Sequence, residues 1–351
     1  MNNKQAPKHG GDIVAASHQY GIAPDRWLDL STGINPDSYP IPEIPQRYFH
    51  DLPSCHDQTL LKAARAYYQV ENLLTAAGSQ AFIEALPTLR EPCRVAIPDI
   101  GYQEHRWHWQ QCGHQVELYS GFDLESLDKK IRQHEVDCAV VINPNNPTTE
   151  QATVEQLEQW RSLLNARNGW LIIDEAFIDT QTDQSFSLYS ARPGVIVLRS
   201  MGKFFGLAGI RMGFALADKA LLATLSSRLM LWSVSGVSQF VAAQALLDTV
   251  WQQQARQHLV ANSEWLVSTL RIFFPVQIIL KNDFFVSVIL EKTLADTIAN
   301  HFAQSGVLIR QWPLPCGKKT LLRFGLLSGS EPRQRCLKLL RTIDAQCGLP
   351  V

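Results

Sequence analysis

The chain carries no excess of either charge: 32 lysines and arginines stand against 33 aspartates and glutamates, a net −1 over 351 residues. A protein built to grip nucleic acid or an anionic membrane needs a surplus of cations, so neither partner is expected. No apolar run approaches the roughly 20 residues that span a bilayer. The opening segment MNNKQAPKHGGD lacks the apolar stretch of a secretory signal. Seven cysteines, at 55, 93, 112, 138, 316, 336 and 347, form no Cys-x-x-Cys pair, which argues for reduced thiols and no metal site. Internal repeats and low-complexity segments are absent as well. Apolar residues are plentiful, 46% against 19% charged, and can fill a large core. The length suits one large and one small domain. A soluble, cytoplasmic protein of enzyme size is the expectation.

Residues 1–50 are dense in Gly, Pro and Asn: His9-Gly10-Gly11, Ser31-Thr32-Gly33-Ile34-Asn35-Pro36, then Pro40, Pro42 and Pro45. They read as an ordered arm without regular structure. The first helix is expected near Asp57, with Leu60, Leu61, Ala64, Tyr67 and Tyr68 on one face. Four short runs, at 94–97, 138–142, 170–173 and 195–198, are apolar on both faces, as strands of a covered parallel sheet must be. A helical pattern through Leu157, Trp160 and Leu164 separates the second run from the third, which makes the layer an α/β fold. Residues 51–250 are assigned to this large domain. A proline-free helical stretch from about 237 to 274 leads into a small α+β domain, 251–351. Its strands are expected at 284–290, 306–311 and 320–326, and its last helix through Cys336, Leu339, Leu340 and Ile343.

Ligands of open α/β sheets bind beyond the carboxyl ends of the strands. The second run ends in Asn143-Pro144-Asn145-Asn146-Pro147-Thr148, the third in Asp174-Glu175-Ala176, the fourth in Ser200-Met201-Gly202-Lys203. If these strands are parallel, Asn146, Asp174, Lys203 and Arg211 converge. A lysine shielded from water is a candidate nucleophile toward carbonyls. Ser200 and Arg211 add a hydroxyl and a guanidinium suited to a phosphate. A carboxylate following Leu171-Ile172-Ile173 needs a cationic partner, and a protonated pyridine nitrogen would serve. Gly78-Ser79-Gln80 opens an apolar helix, whose free N–H groups suit a phosphate. The set suggests a phosphate-bearing aldehyde cofactor.

Together these residues resemble the fold-type I pyridoxal-phosphate enzymes, the aspartate-aminotransferase-like group. The string SMGKFFGLAGIRMG at 200–213, with NPNNPT and DEAF, carries the likeness most specifically. The resemblance implies a mainly parallel sheet flanked by helices, a small α+β C-terminal domain, pyridoxal 5'-phosphate as cofactor and a homodimer. It assigns Lys203 to covalent attachment of the cofactor, Asp174 to the ring nitrogen and Asn146 to the ring hydroxyl. Ser79, Gln80, Ser200 and Arg211 would hold the phosphate, and Tyr102 would stack on the ring. Arg323 would grip the substrate carboxylate. Two departures stand out: Phe177 replaces a common tyrosine in DEAY, and Tyr48 is the candidate for a residue that relatives donate across the subunit interface.

A finer likeness is to the threonine-phosphate decarboxylases of cobalamin biosynthesis. It rests on His9-Gly10-Gly11-Asp12, on Leu28 to Pro36, on Gly78-Ser79-Gln80 and on Asp174 to Asp179. It implies decarboxylation of O-phospho-L-threonine to (R)-1-aminopropan-2-yl phosphate. Gly33, Ile34 and His9 would face the substrate, and a nest of His9, Gly10 and Gly11, or Arg333 or Arg335, would take its phosphate. An aminotransferase of the histidinol-phosphate type is the alternative. A regulator without turnover is disfavoured, since fewer than ten residues precede His9.

Overall fold

The computed structural model describes residues 6–7, 9–54 and 57–347. Twelve strands are found among them: β1 Leu28–Leu30, β2 Leu73–Ala76, β3 Arg94–Pro98, β4 Gln115–Tyr119, β5 Cys138–Ile142, β6 Trp170–Asp174, β7 Val195–Ser200, β8 Gly213–Leu216, β9 Ile278–Asn282, β10 Phe285–Glu291, β11 Val307–Pro313 and β12 Lys319–Gly325. The chain divides into two compact units. One comprises Ser38–Asn146 and Glu150–Gln253; the other holds residues 9–37, Pro147–Thr149 and residues 254–347.

The first unit is built on a seven-stranded sheet of order β2-β8-β7-β6-β5-β3-β4. Strands β3 to β7 pair in parallel, and β8 runs antiparallel between β7 and β2. Every residue of β5 is buried and β6 and β7 are nearly so, which is why their sequences are apolar on both faces. The edge strand β4, QVELY, is half-exposed and mixed in polarity, so its sequence does not announce it. Helix Val154–Asn165 crosses from β5 to β6, opened by a capping box in which Thr153 and Gln156 satisfy each other's backbone N–H groups.

The expected long helix is two. Helix Gly236–Leu247 stops at Asp248, whose side chain accepts the N–H of Trp251 at 2.9 Å and so starts Thr249–Phe273. No proline is needed when a capping aspartate can end one helix and begin the next.

The second unit carries a five-stranded sheet, β1-β11-β12-β10-β9, in which β1 lies parallel to β11 and the others are antiparallel. Here the expectation of an irregular arm is corrected. Residues 13–20 form a helix, with Asp12 accepting the N–H of Ala15 at its start and Gly21 in the left-handed conformation at its end. Leu28–Leu30 add a strand to the sheet. The division also falls earlier than residue 50: Ser38 onward belongs to the first unit, where the Tyr39 N–H donates to the Phe205 carbonyl and its ring packs edge-on against Trp251. Among the described residues no helix is long and apolar enough to cross a membrane, and no cluster of metal-ligating side chains occurs.

Candidate active site

Parallel pairing of β5, β6 and β7 puts their carboxyl ends in a row, so Asn143, Asp174 and Ser200 open onto one edge of the first unit's sheet. The antiparallel strand β8 brings Gly213 opposite Ser200, and β2 brings Ala76 opposite Gly213. The turn into helix Gly78–Ala85 therefore lands at the same edge. That helix has no side-chain cap on its first turn. A Cβ on Gly213 would lie 2.3 Å from the Ser79 nitrogen and 2.4 Å from the Gly78 carbonyl carbon. A Cβ on Gly78 would meet the Arg211 guanidinium at 2.7 Å. Two glycines thus let a helix N-terminus, a strand and a guanidinium close on one another, a grouping of Gly78, Ser79, Ser200 and Arg211 whose chemistry suits an anion. Ser200 Oγ accepts the N–H of Gly202 at 3.1 Å, which fixes the turn before Lys203.

Lys203 is half-buried, with its ammonium 5.5 Å from the ring centroid of the buried Phe177. Its neighbours Phe204 and Phe205 are fully buried and pack on Trp251, so the loop that carries the lysine is clamped. The departure at Phe177 thus puts an aromatic face beneath the amine.

Asp174 is buried, accepts the N–H of Ala176 at 3.2 Å and meets His105 Nε2 at 3.1 Å. The sequence reading missed His105. A signal was present: it lies three residues after Tyr102 and four before Trp109, on the buried face of helix Glu104–Gln111.

Tyr102 donates its hydroxyl to Gln80 Oε1 at 3.0 Å, and the Gln80 amide donates in turn to Glu104 at 3.1 Å and Glu84 at 3.0 Å. Gln80 therefore contributes its side chain, not only its backbone, and holds the Tyr102 ring. Burial, reinforced by the nearby Glu104 and Asp174, raises the Tyr102 phenol well above its ordinary value and keeps it neutral.

Asn145 and Asn146, the adjacent asparagines of the NPNNPT run, divide their work. Asn145 is buried and donates to the carbonyls of Ile100 at 2.8 Å and Gly121 at 3.2 Å. The backbone of Asn145 also accepts closure from Glu150, whose carbonyl takes its N–H at 2.8 Å. Asn146, next along, is half-buried.

A fully buried ion network braces this edge from within. Arg199 donates to Glu175 at 2.9 Å and Asp179 at 2.6 Å, while Tyr67 donates to Asp179 at 2.8 Å. Arg199 directly precedes Ser200 and Glu175 directly follows Asp174, so the ends of β6 and β7 are tied together one residue from the site.

In the second unit, Arg323 is buried in the middle of β12, with its guanidinium carbon 4.9 Å from the Trp312 ring and 5.2 Å from the Phe285 ring. It donates to the carbonyl of Ser31. Directly opposite on β11 stands Arg310, whose guanidinium carbon lies 5.0 Å from the ring of the same Trp312. Two arginines in register are a donor set that suits an anion of more than one charge. Arg310 was also missed; it is the one charged residue in VLIRQWP, and a lone cation in an apolar strand calls for a partner.

The arm residues Gly33 (buried) and Ile34 (half-buried) follow β1 in the same unit, and His9 is exposed. The proposed nest is corrected in part: the Gly11 N–H is spent on Ser31 Oγ at 2.8 Å, and a Cβ on Gly10 would meet the Ser31 carbonyl at 2.4 Å. Those glycines serve close packing. Arg335 is corrected too, since it caps the carbonyls of Ser305 at 2.6 Å and Gly306 at 3.0 Å. Arg333 stacks on Trp265 at 4.6 Å and donates to Asn262. Tyr48 packs on Phe240 with ring centroids 4.7 Å apart.

The fold and this edge define a class. The chain belongs to the aminotransferase class I and II family, whose model matches residues 27–334. Among its relatives, it is 43% identical to the threonine-phosphate decarboxylase of Pseudomonas aeruginosa over 265 residues, covering 75% of this chain and 78% of that protein. A second threonine-phosphate decarboxylase, from Sinorhizobium, is 36% identical over 65% of this chain and 68% of its own. The solved histidinol-phosphate aminotransferase from Sinorhizobium meliloti, in complex with pyridoxal-5'-phosphate, superposes with a TM-score of 0.79 at 18% identity over 98% of this chain and 97% of that one.

The family implies pyridoxal phosphate, and the donor set present fits it. An uncapped helix start with Arg211 suits its phosphate, the buried Asp174 suits a protonated ring nitrogen, and Lys203 suits its aldehyde.

Proposed function

We propose that this protein is a pyridoxal-phosphate-dependent decarboxylase of O-phospho-L-threonine, forming (R)-1-aminopropan-2-yl phosphate for cobalamin synthesis, and that it works as a cytoplasmic homodimer. The observation that carries the reading beyond the cofactor is the Arg310–Arg323 pair, in register on adjacent strands. An ordinary amino acid needs one guanidinium for its carboxylate. A substrate that bears a phosphate as well accounts for two. The likeness to threonine-phosphate decarboxylases over three quarters of the chain supports the same choice.

Pyridoxal phosphate, when bound, supplies an electron-poor ring that accepts the electron pair left on the substrate's α-carbon. The chain's residues do the rest. Gly78, Ser79, Ser200 and Arg211 would hold the phosphate, and Asn146 would donate to the ring hydroxyl. Asp174, oriented by His105 at 3.1 Å, would pair its carboxylate with a cationic ring nitrogen. Tyr102, held by Gln80 at 3.0 Å, would cover the ring. Arg323, with its guanidinium carbon 4.9 Å from the Trp312 ring and 5.2 Å from the Phe285 ring, would take the substrate carboxylate, and the orientation of that carboxylate selects which bond at the α-carbon breaks. Loss of carbon dioxide leaves a carbon that must gain a proton, and we assign its delivery to Lys203 Nζ.

The test is direct. The cofactor-loaded protein given O-phospho-L-threonine is expected to release carbon dioxide with no 2-oxo acid, and Lys203→Ala to abolish it. Turnover that requires 2-oxoglutarate would overturn the reading in favour of transamination.

A further inference from the structure

A second cluster of reactive groups lies at the opposite ends of the same strands. Cys138 opens β5 and pairs with Val95 of β3. Side chains alternate along a strand, so Cys93, two residues before Val95, projects onto the same face as Cys138. All three belong to one apolar cluster, with Cys138 fully buried and Cys93 at its margin.

The third member is His114, buried in the turn before β4. Its Nε2 lies 2.9 Å from the carbonyl of Pro87, an acceptor only, so Nε2 carries the proton and Nδ1 is left to accept. Nδ1 accepts the Cys93 N–H at 3.1 Å and faces Cys93 Sγ at 3.4 Å. This is the geometry of a thiol paired with a base. Arg90, stacked on Trp170 at 4.6 Å, adds positive potential to the same corner, whereas Arg94 is engaged by Asp137 at 3.1 Å. A hydrogen bond from the Cys138 thiol, opposed by burial and helped by His114 and Arg90, draws the Cys93 thiol down to about 6, and the Cys138 thiol is pushed well above its ordinary value. One sulfur is poised as thiolate and its neighbour keeps the proton, the division of labour an oxidisable pair requires.

We propose that Cys93 and Cys138 form a peroxide-reactive dithiol, with Cys93 attacking, His114 accepting its proton and Cys138 resolving the product as a disulfide. The Cys93 thiolate attacks one oxygen of hydrogen peroxide; an S–O bond forms, the O–O bond breaks, and the departing hydroxide takes the proton held by His114 and leaves as water. The Cys138 sulfur then attacks the sulfenic sulfur; the S–S bond forms, the S–O bond breaks, and the hydroxide leaves with the Cys138 proton as a second water. Two thiols lose two electrons and one peroxide gains them. The Cys93 carbonyl accepts the Gln115 N–H at 3.0 Å and its N–H is held by His114, so closure on Cys138 comes from rotation of the two side chains. The pair stands at the amino ends of β3 and β5, away from Asn143, Asp174 and Ser200 at the carboxyl ends, so it is a modification site rather than part of substrate turnover.

The test uses the cofactor-loaded protein, iodoacetamide and hydrogen peroxide. Alkylation of Cys93, followed by peptide mass, is expected to reach half its maximal rate near pH 6, and at higher pH in His114→Gln. Equimolar peroxide at neutral pH is expected to yield a Cys93–Cys138 cross-linked peptide, reversed by dithiothreitol, while Cys112 and Cys316 remain free. In Cys138→Ser, whose hydroxyl still donates to Cys93, dimedone is expected to trap a sulfenic acid on Cys93. A wild-type alkylation midpoint at the ordinary thiol value of about 8.5 overturns the proposal, whether or not the His114 variant folds. So does peroxide oxidation of Cys112 or Cys316 with Cys93 and Cys138 still reduced.

Discussion

The Nε2 of His105 stands 3.1 Å from Oδ2 of Asp174, and both side chains are buried. A buried carboxylate stripped of its partner costs about 1–3 kcal/mol. His105→Phe is therefore expected to lower the stability of the cofactor-free protein by that amount. The loss is expected to shrink when pyridoxal phosphate is bound, because in the proposed site a cationic ring nitrogen would then pair with Asp174. Urea unfolding with and without cofactor measures both; equal losses would show that Asp174 does not face the ring.

Gly213→Ala tests the anion cradle. The added carbon falls 2.3 Å from the Ser79 nitrogen and 2.4 Å from Gly78, both backbone atoms that cannot swing aside. The helix start must move, with an expected cost of about 1–3 kcal/mol and a weaker affinity for pyridoxal phosphate in fluorescence titration. Gly209→Ala is the control: nothing lies within 4 Å of its Cβ position, and little change is expected.

Burial, with Arg310 opposite, pulls the Arg323 guanidinium down to about 9. Only the cation binds an anionic substrate. A guanidinium nonetheless stays protonated in proteins, so KM should not rise as the pH passes through 9. Arg323→Lys keeps a charge but loses the fork and the stacking on Trp312. Arg310→Ala removes the second cation. Each should raise KM at least tenfold, or about 1.4 kcal/mol, and Arg310→Ala should discriminate against the phosphorylated substrate more than against plain threonine.

Arg199→Met leaves Glu175 and Asp179 facing each other in the core without a cation, an expected loss of about 3–5 kcal/mol. Burial already pushes the Glu175 carboxyl above its usual range despite Arg199. Adding Glu175→Gln and Asp179→Asn should recover most of the loss in denaturant unfolding. No recovery would mean that Arg199 acts through packing on Tyr68, 4.8 Å beneath it, rather than through charge.

What could be read along the chain was decided by local physics. Strands covered on both faces must be apolar throughout, so β3, β5, β6 and β7 stand out, and the polar residues that end them mark the site. Lys203, Asp174 and Asn146 are legible for that reason. The strand β4 is not, because an edge strand has one face in water and its alternation is lost among polar neighbours. The helix Ile13–Tyr20 is hidden likewise, since it buries only Ala16 and makes no apolar stripe.

Partnerships across the sheet were beyond the sequence altogether. His105 is 69 residues from Asp174, Arg310 meets Arg323 through register, and Cys93 finds Cys138 because β3 and β5 are neighbours. A linear pattern records whether a residue prefers water or core. The three-dimensional fold alone decides which buried charge meets which, because that depends on strand order and register, and neither is written in local periodicity.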